Sequence, residues 1–160
     1  MKDSGGFVDT NKGMAEIMKE IAAMSKLAVK AGIPESEGGQ KPEAGGPTVA
    51  EYAAWNEYGT ANGRIPARPF IRGWVENNGG QIKKMTEFLF KKVSEGEMTA
   101  AEAMEKLGQF GESGIKKYIR EGTFEENKKS TVRHKGSDKP LIDTGTMRNS
   151  IRYEVVGGNK

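Results

Sequence analysis

The chain has 160 residues, 35% of them hydrophobic and 29% charged, with 25 Lys and Arg against 22 Asp and Glu and a formal net charge of +3. One domain with an ordinary apolar core fits that length. The lack of cysteine and the single histidine, His134, exclude disulfides, thiolate chemistry and His- or Cys-built zinc clusters. No run approaches the ~20 apolar residues of a membrane span, and the stretch Met1–Gly13 has no apolar segment of the secretory-signal type.

Charge is unevenly placed. Residues 1–60 carry 6 basic and 9 acidic side chains, and residues 61–160 carry 19 and 13. Such a dipole steers one surface toward an acidic partner. The basic residues are mostly Lys at helical spacing or in loops, which reads as a solvated face and not as an Arg-rich nucleic-acid stripe.

Residues 1–9 read as a flexible N-terminus and residues 10–156 as a single α+β domain. A helix is expected from about Thr10, with Thr10 or Asn11 as its cap. Met14, Ile17, Met18, Ile21 and Met24 fall at its helical spacing. The period then changes. Leu27, Val29, Ala31 and Ile33 alternate with Lys26, Ala28 and Lys30, which predicts a short strand ending at Gly32-Ile33-Pro34.

Residues 34–47 form a polar Gly/Pro/Glu loop, expected to be flexible or to order against a partner. Thr48 with Glu51 then makes a capping box for a short helix. Val49, Tyr52, Ala53 and Asn56 lie on one face, and Gly59 ends it.

Residues 61–68 read as a loop. Pro69 is placed in the first turn of a long helix. Its apolar start is Phe70, Ile71, Trp74 and Val75, and its later stripe is Ile82, Met85, Leu89 and Val93. Gly79 and Gly80 lie mid-helix at about 1 kcal/mol each relative to Ala, which predicts a break, a kink or a close contact. Thr99 and Glu102 form a second capping box. The helix they open carries Met104, Leu107, Ile115, Tyr118 and Ile119 on one face. Gly108, Gly111 and Gly114 recur every three residues along it, a ridge suited to tight packing.

Residues 121–139 are polar and charged, a second flexible loop with an edge strand expected around Thr131–Arg133. Asp143 is placed to cap a turn of helix through Met147-Arg148-Asn149-Ser150. Ile151, Tyr153 and Val155 alternate with Arg152, Glu154 and Val156 as a second strand, and residues 157–160 read as a flexible tail. The sum is about three helices packed on a small, mostly antiparallel sheet, with long polar loops.

No catalytic signature stands in its required context: HExxH, GxSxG, Walker A and GxGxxG are all missing. The carboxylate pairs, Glu95 with Glu97 and Glu125 with Glu126, sit in polar segments and read as solvated. His134 lies between Arg133 and Lys135 in a charged loop. No enzyme, cofactor, metal or small-molecule substrate is expected. Arg64, Arg68 and Arg72 surround Phe70 and Trp74, the residue types that anchor protein interfaces. A small basic DNA-associated protein is the alternative from another class, weakened by Glu112, Glu121, Glu125 and Glu126 within the later basic run.

Two segments together carry a resemblance. The first is VAEYAAWNEYGTANGRIPARPFIRG, residues 49–73, and the second is KPLIDTGTMRNSIRYEVV, residues 139–156. In order and separation they resemble the tailed-phage and prophage virion morphogenesis proteins of the neck, head–tail joining and tail-completion type. The resemblance implies a non-catalytic α+β component that joins or finishes the tail, with tail-terminator or another minor virion protein as the alternative. Its implied partners are connector, head-closure and tail-tube or terminator proteins, together with self-association into a ring. Its implied location is the host bacterial cytoplasm during assembly and then the virion. No membrane is implied, and DNA would pass nearby without being bound.

Under this resemblance Asn56, Glu57, Gly59, Thr60, Pro66, Pro69, Asp143, Thr144 and Gly145 define turns of the fold. Tyr58, Arg64, Arg68, Phe70, Arg72, Trp74 and Arg148 are the candidate assembly contacts.

Overall fold

The structure, a computed structural model, describes residues 12–127, 133, 140–141 and 145–157. In chain order these form α1 (Lys12–Met24), β1 (Leu27–Gly32), α2 (Glu35–Gly38), α3 (Val49–Tyr58), α4 (Ile71–Ser94), α5 (Ala100–Glu121), α6 (Thr146–Asn149) and β2 (Arg152–Gly157). The fold is α+β. Its sheet, among the described residues, is one antiparallel pair with Val29 opposite Val155 and Ala31 opposite Tyr153.

Helices α4 and α5 are the spine. The apolar core divides into two clusters along them. One joins Ala53, Phe70, Trp74, Ile115, Ile119, Leu141, Met147 and Ile151. The other joins Met24, Leu89, Val93, Ala100, Ala103 and Met104. Helix α5 feeds both because its apolar residues recur at helical spacing from Ala100 to Ile119.

Both capping boxes form. The Thr48 hydroxyl accepts the Glu51 N–H while the Glu51 carboxylate accepts the Thr48 N–H at 2.8 Å. Thr99 and Glu102 repeat the exchange, with the Thr99 N–H 2.9 Å from Glu102. In each pair the carboxyl is held below its ordinary range, first by the backbone N–H and then by the hydroxyl.

The glycine ridge of α5 packs tightly. A methyl group at Gly108 would fall 2.1 Å from the Tyr153 ring, and one at Gly114 would fall 2.4 Å from the Trp74 indole. At Gly111 the neighbour is the Ala31 Cβ, at 3.2 Å. Removing the side chains from this ridge lets β1, β2 and α4 lie directly against α5.

Several expectations are corrected. Helix α4 runs unbroken through Gly79 and Gly80, and nothing lies within 4 Å of a methyl group placed at either. They face open space, so neither a break nor a close contact explains them. Helix α4 begins at Ile71, so Pro69 precedes it and does not occupy its first turn. Val75 is 47% exposed and leaves the expected apolar start. Met14 and Met18 are also exposed, because α1 meets the core through Ile21, Ala23 and Met24. The 34–47 loop contains the one-turn helix α2, whose Gly38 is buried beside Ala50. The helices therefore number six among the described residues, against about three expected.

The expected caps at Thr10 or Asn11, residues 1–9 and 158–160 of the expected flexible ends, His134, Asp143 and Thr144 lie outside the described residues. Gly157, expected in the flexible tail, is instead the last residue of β2, opposite Leu27. Of the expected edge strand only Arg133 is described, and it is helical. Gly145 does make a turn. It has φ 81° and stands immediately before α6.

Candidate assembly surface at the α3–α4 junction

The segment 56–72 is an interlocked corner. Its centre is Glu57, a buried carboxylate in the last turn of α3. Glu57 Oε2 accepts the Phe70 N–H at 2.7 Å and the Ile71 N–H at 3.0 Å, and Oε1 accepts the Arg72 N–H at 3.0 Å. Helix α4 has no capping side chain of its own, and Phe70 at its start cannot supply one. A distant carboxylate therefore does the work of the N-cap, satisfying otherwise orphaned amides at the positive end of the helix dipole.

Arg72 closes the corner from outside. Its Nε donates to Glu57 Oε1 at 3.0 Å, and its Nη2 donates to the Glu57 main-chain oxygen at 2.8 Å. The guanidinium then lies over the Tyr58 ring, 4.7 Å from its centroid.

The loop between the helices is equally determined. Gly59 has φ 76°, and the Ala67 nitrogen would sit 3.0 Å from a methyl group there. Thr60 N–H donates to the Ile65 oxygen at 3.0 Å, and the Ile65 N–H returns a bond to Thr60 Oγ1 at 3.0 Å. The Arg68 N–H reaches the Asn56 oxygen at 2.6 Å. Pro66 and Pro69 stand half-buried in the same loop.

Arg68 turns inward. It is 6% exposed, and its Nε donates to the Glu125 main-chain oxygen at 2.7 Å. Nη2 donates to the Glu126 main-chain oxygen at 3.0 Å, and Nη1 approaches Asn56 Oδ1 at 3.4 Å. Asn56 is itself anchored, donating from Nδ2 to the Tyr52 oxygen at 2.8 Å. Desolvation pulls the Arg68 pKa below its ordinary value, against the opposing effects of Tyr52 and Glu125. Arg68 thus ties α3 to the chain beyond α5.

The seven candidate contacts divide accordingly. Phe70 is 0% exposed, Trp74 7% and Arg68 6%, so these three hold the fold together and present no contact surface. Phe70 and Trp74 belong to the first core cluster because α4 lays that face on α5. Tyr58 is 68% exposed, and Arg64 and Arg72 are exposed with it. Arg148 is half-buried on α6 and bonds its neighbour Asn149, and among the described residues no hydrogen bond or ring contact joins it to Tyr58 or Arg72.

Two exposed apolar residues join the pair unannounced by the sequence reading. Trp55, 39% exposed, is three residues before Tyr58 on α3, and Val75, 47% exposed, is three after Arg72 on α4. Residues three apart share a helix face. The Tyr58–Arg72 stack thus bridges Trp55-Tyr58 on one helix to Arg72-Val75 on the next. The spacing of Trp55 and Tyr58 was a readable signal; the bridge to α4 was not.

Among the described residues no group of three or more His, Asp or Glu is placed to hold a metal ion, and no helix is long and apolar enough to cross a membrane. Comparison with models of protein families, with curated proteins and with solved structures finds no match to this chain.

Proposed function

We propose that this chain is a non-catalytic assembly protein, a module that works by docking to other proteins. The observation that carries this reading is the exposed Trp55–Tyr58–Arg72–Val75 surface, held on a corner that Glu57 makes rigid. Trp, Tyr and Arg on a preorganised support are the residue types that dominate binding energy at interfaces.

The particular assembly we propose is that of a tailed-phage or prophage virion, with the chain acting at the head–tail junction as a neck or tail-completion component. Its partners there are connector, head-closure and tail-tube or terminator proteins and further copies of itself in a ring. The support is the resemblance of residues 49–73 and 139–156. The residues that carry its first half are those that build the corner: Asn56, Glu57, Gly59, Thr60, Arg68 and Phe70 all bond or pack there. The DNA-binding alternative loses ground. Of the three arginines around Phe70 and Trp74, Arg68 is buried and Arg72 is paired with Glu57, which leaves Arg64.

The test is electron microscopy of particles from a host in which this gene is deleted, beside the complemented strain. Filled heads and separate tails, joined again on complementation, are the expected result. Normally joined particles from the deletion strain would overturn the head–tail reading.

A further inference from the structure

The two strands of the ribbon differ in what lies along their outer edges. In an antiparallel pair, residues that bond the partner strand alternate with residues whose N–H and C=O point away from it. The Tyr153 N–H donates to Glu112 Oε2 on α5 at 3.0 Å. Tyr153 is therefore an outward position on β2, and so is Val155. By the register, Ala31 and Val29 are the outward positions of β1.

On β2 the outer edge is closed where Glu112 takes the Tyr153 N–H. Lys116 holds that carboxylate in place at 2.6 Å, and the Tyr153 hydroxyl is tied to Glu105 at 2.6 Å. On β1 nothing corresponds. Among the described residues, the main-chain groups of Val29 and Ala31 make no hydrogen bond outside the ribbon. Leu27 and Val29 are only half-buried on the α5 side. On the opposite, solvent side stand Ala28 and Lys30, with Lys26 just before the strand. Lys30 lies across from Glu154, yet neither lysine has an ion-pair partner among the described residues.

We propose that the outer edge of β1 receives an extended acidic segment of another protein as a third strand. Unpaired edge amides and carbonyls are a template for strand addition, with alternate side chains giving specificity. The added strand turns apolar side chains toward α5, beside Leu27 and Val29. It turns carboxylates outward, beside Lys26 and Lys30. The charge of β1 selects against a second copy of itself. Two β1 strands would bring lysines near lysines, and on the β2 edge of a second copy Glu112 already holds the Tyr153 N–H. The proposal does not rest on the head–tail reading.

The probes are two short capped peptides, one alternating Glu and Val and the other alternating Lys and Val, titrated against the full chain. The Glu–Val peptide is expected to bind in a salt-dependent manner and to slow amide exchange at Val29 and Ala31. Lys26→Glu, which lies outside the ladder, is expected to weaken that peptide about fivefold. Failure of the Glu–Val peptide to bind, equal binding of both peptides, or binding without protection of Val29 and Ala31 would each overturn the proposal. So would slow exchange of those two amides in the free chain together with a dimer in sedimentation, which would assign the edge to a second copy.

Discussion

Glu57 and Arg72 hold one another through both main chain and side chain. The Arg72 amide and its Nε both donate to Glu57 Oε1 at 3.0 Å, while Nη2 reaches back to the Glu57 carbonyl at 2.8 Å. One carboxylate therefore starts α4, fixes the angle between α3 and α4, and orients the guanidinium that stacks on Tyr58.

Replacing Glu57 by Gln keeps one acceptor and removes the charge. The variant is expected to lose about 2 kcal/mol in urea denaturation, from a weakened cap and buried amides left with poorer partners. Stability within about 0.5 kcal/mol of the parent would mean that the amides of residues 70–72 find other acceptors.

The two sets of glycines predict opposite signs. Gly79→Ala and Gly80→Ala, in open space on α4, are each expected to stabilise by about 1 kcal/mol. Gly108→Ala and Gly114→Ala, against Tyr153 and Trp74, are each expected to destabilise by about 3 kcal/mol through overpacking. Thermal melts of the four variants separate helix propensity from packing. A shared sign would contradict the geometry.

Phe70 is fully buried in the first core cluster, so Phe70→Ala should cost about 3–5 kcal/mol. Val75, one turn further on and exposed, should tolerate Ala within about 0.5 kcal/mol. An unchanged melt for the Phe70 variant would remove that residue from the core.

Tyr58→Ala tests the proposed docking surface. The ring is exposed and stacks on Arg72, so the fold is expected to lose no more than about 1 kcal/mol. Complementation of the deletion strain is expected to fail or fall sharply. Full complementation by a variant that removes both Tyr58 and Trp55 would exclude this surface from assembly.

Acid should act on the helix starts. The pKa values of Glu51 and Glu102 are lowered by the backbone and side-chain bonds of Thr48 and Thr99. A folded value below the unfolded one contributes stability above the unfolded pKa of about 4.3, which is lost as pH falls through the folded value. Carboxyl titrations followed by NMR are expected to show midpoints below the ordinary Glu value at both residues. In Thr99→Ala, the Glu102 midpoint should move back up. An unmoved midpoint would show that the Thr99 hydroxyl adds nothing to what the residue-99 N–H, kept in this variant, already does.

Local features were readable in the amino-acid order because their causes are local. Thr48-x-x-Glu51 and Thr99-x-x-Glu102 cap helices through groups three residues apart. The alternation from Leu27 and from Ile151 specifies strands by a period of two. The spacing of Gly108, Gly111 and Gly114 announced a close approach, although not that Tyr153, Ala31 and Trp74 would fill it.

Tertiary structure alone decided the roles of individual side chains. Arg64, Arg68 and Arg72 look alike in the chain. One is exposed, one is buried on carbonyls 57 and 58 residues away, and one is stacked on Tyr58. Met14 and Met24 share one helical stripe, yet only Met24 meets the core. Periodicity states which residues share a face of an element, because that follows from backbone geometry. Which face is covered, and which distant carboxylate caps a helix, follows only from how the elements pack, since burial and long-range hydrogen bonds are properties of neighbours brought together by the fold.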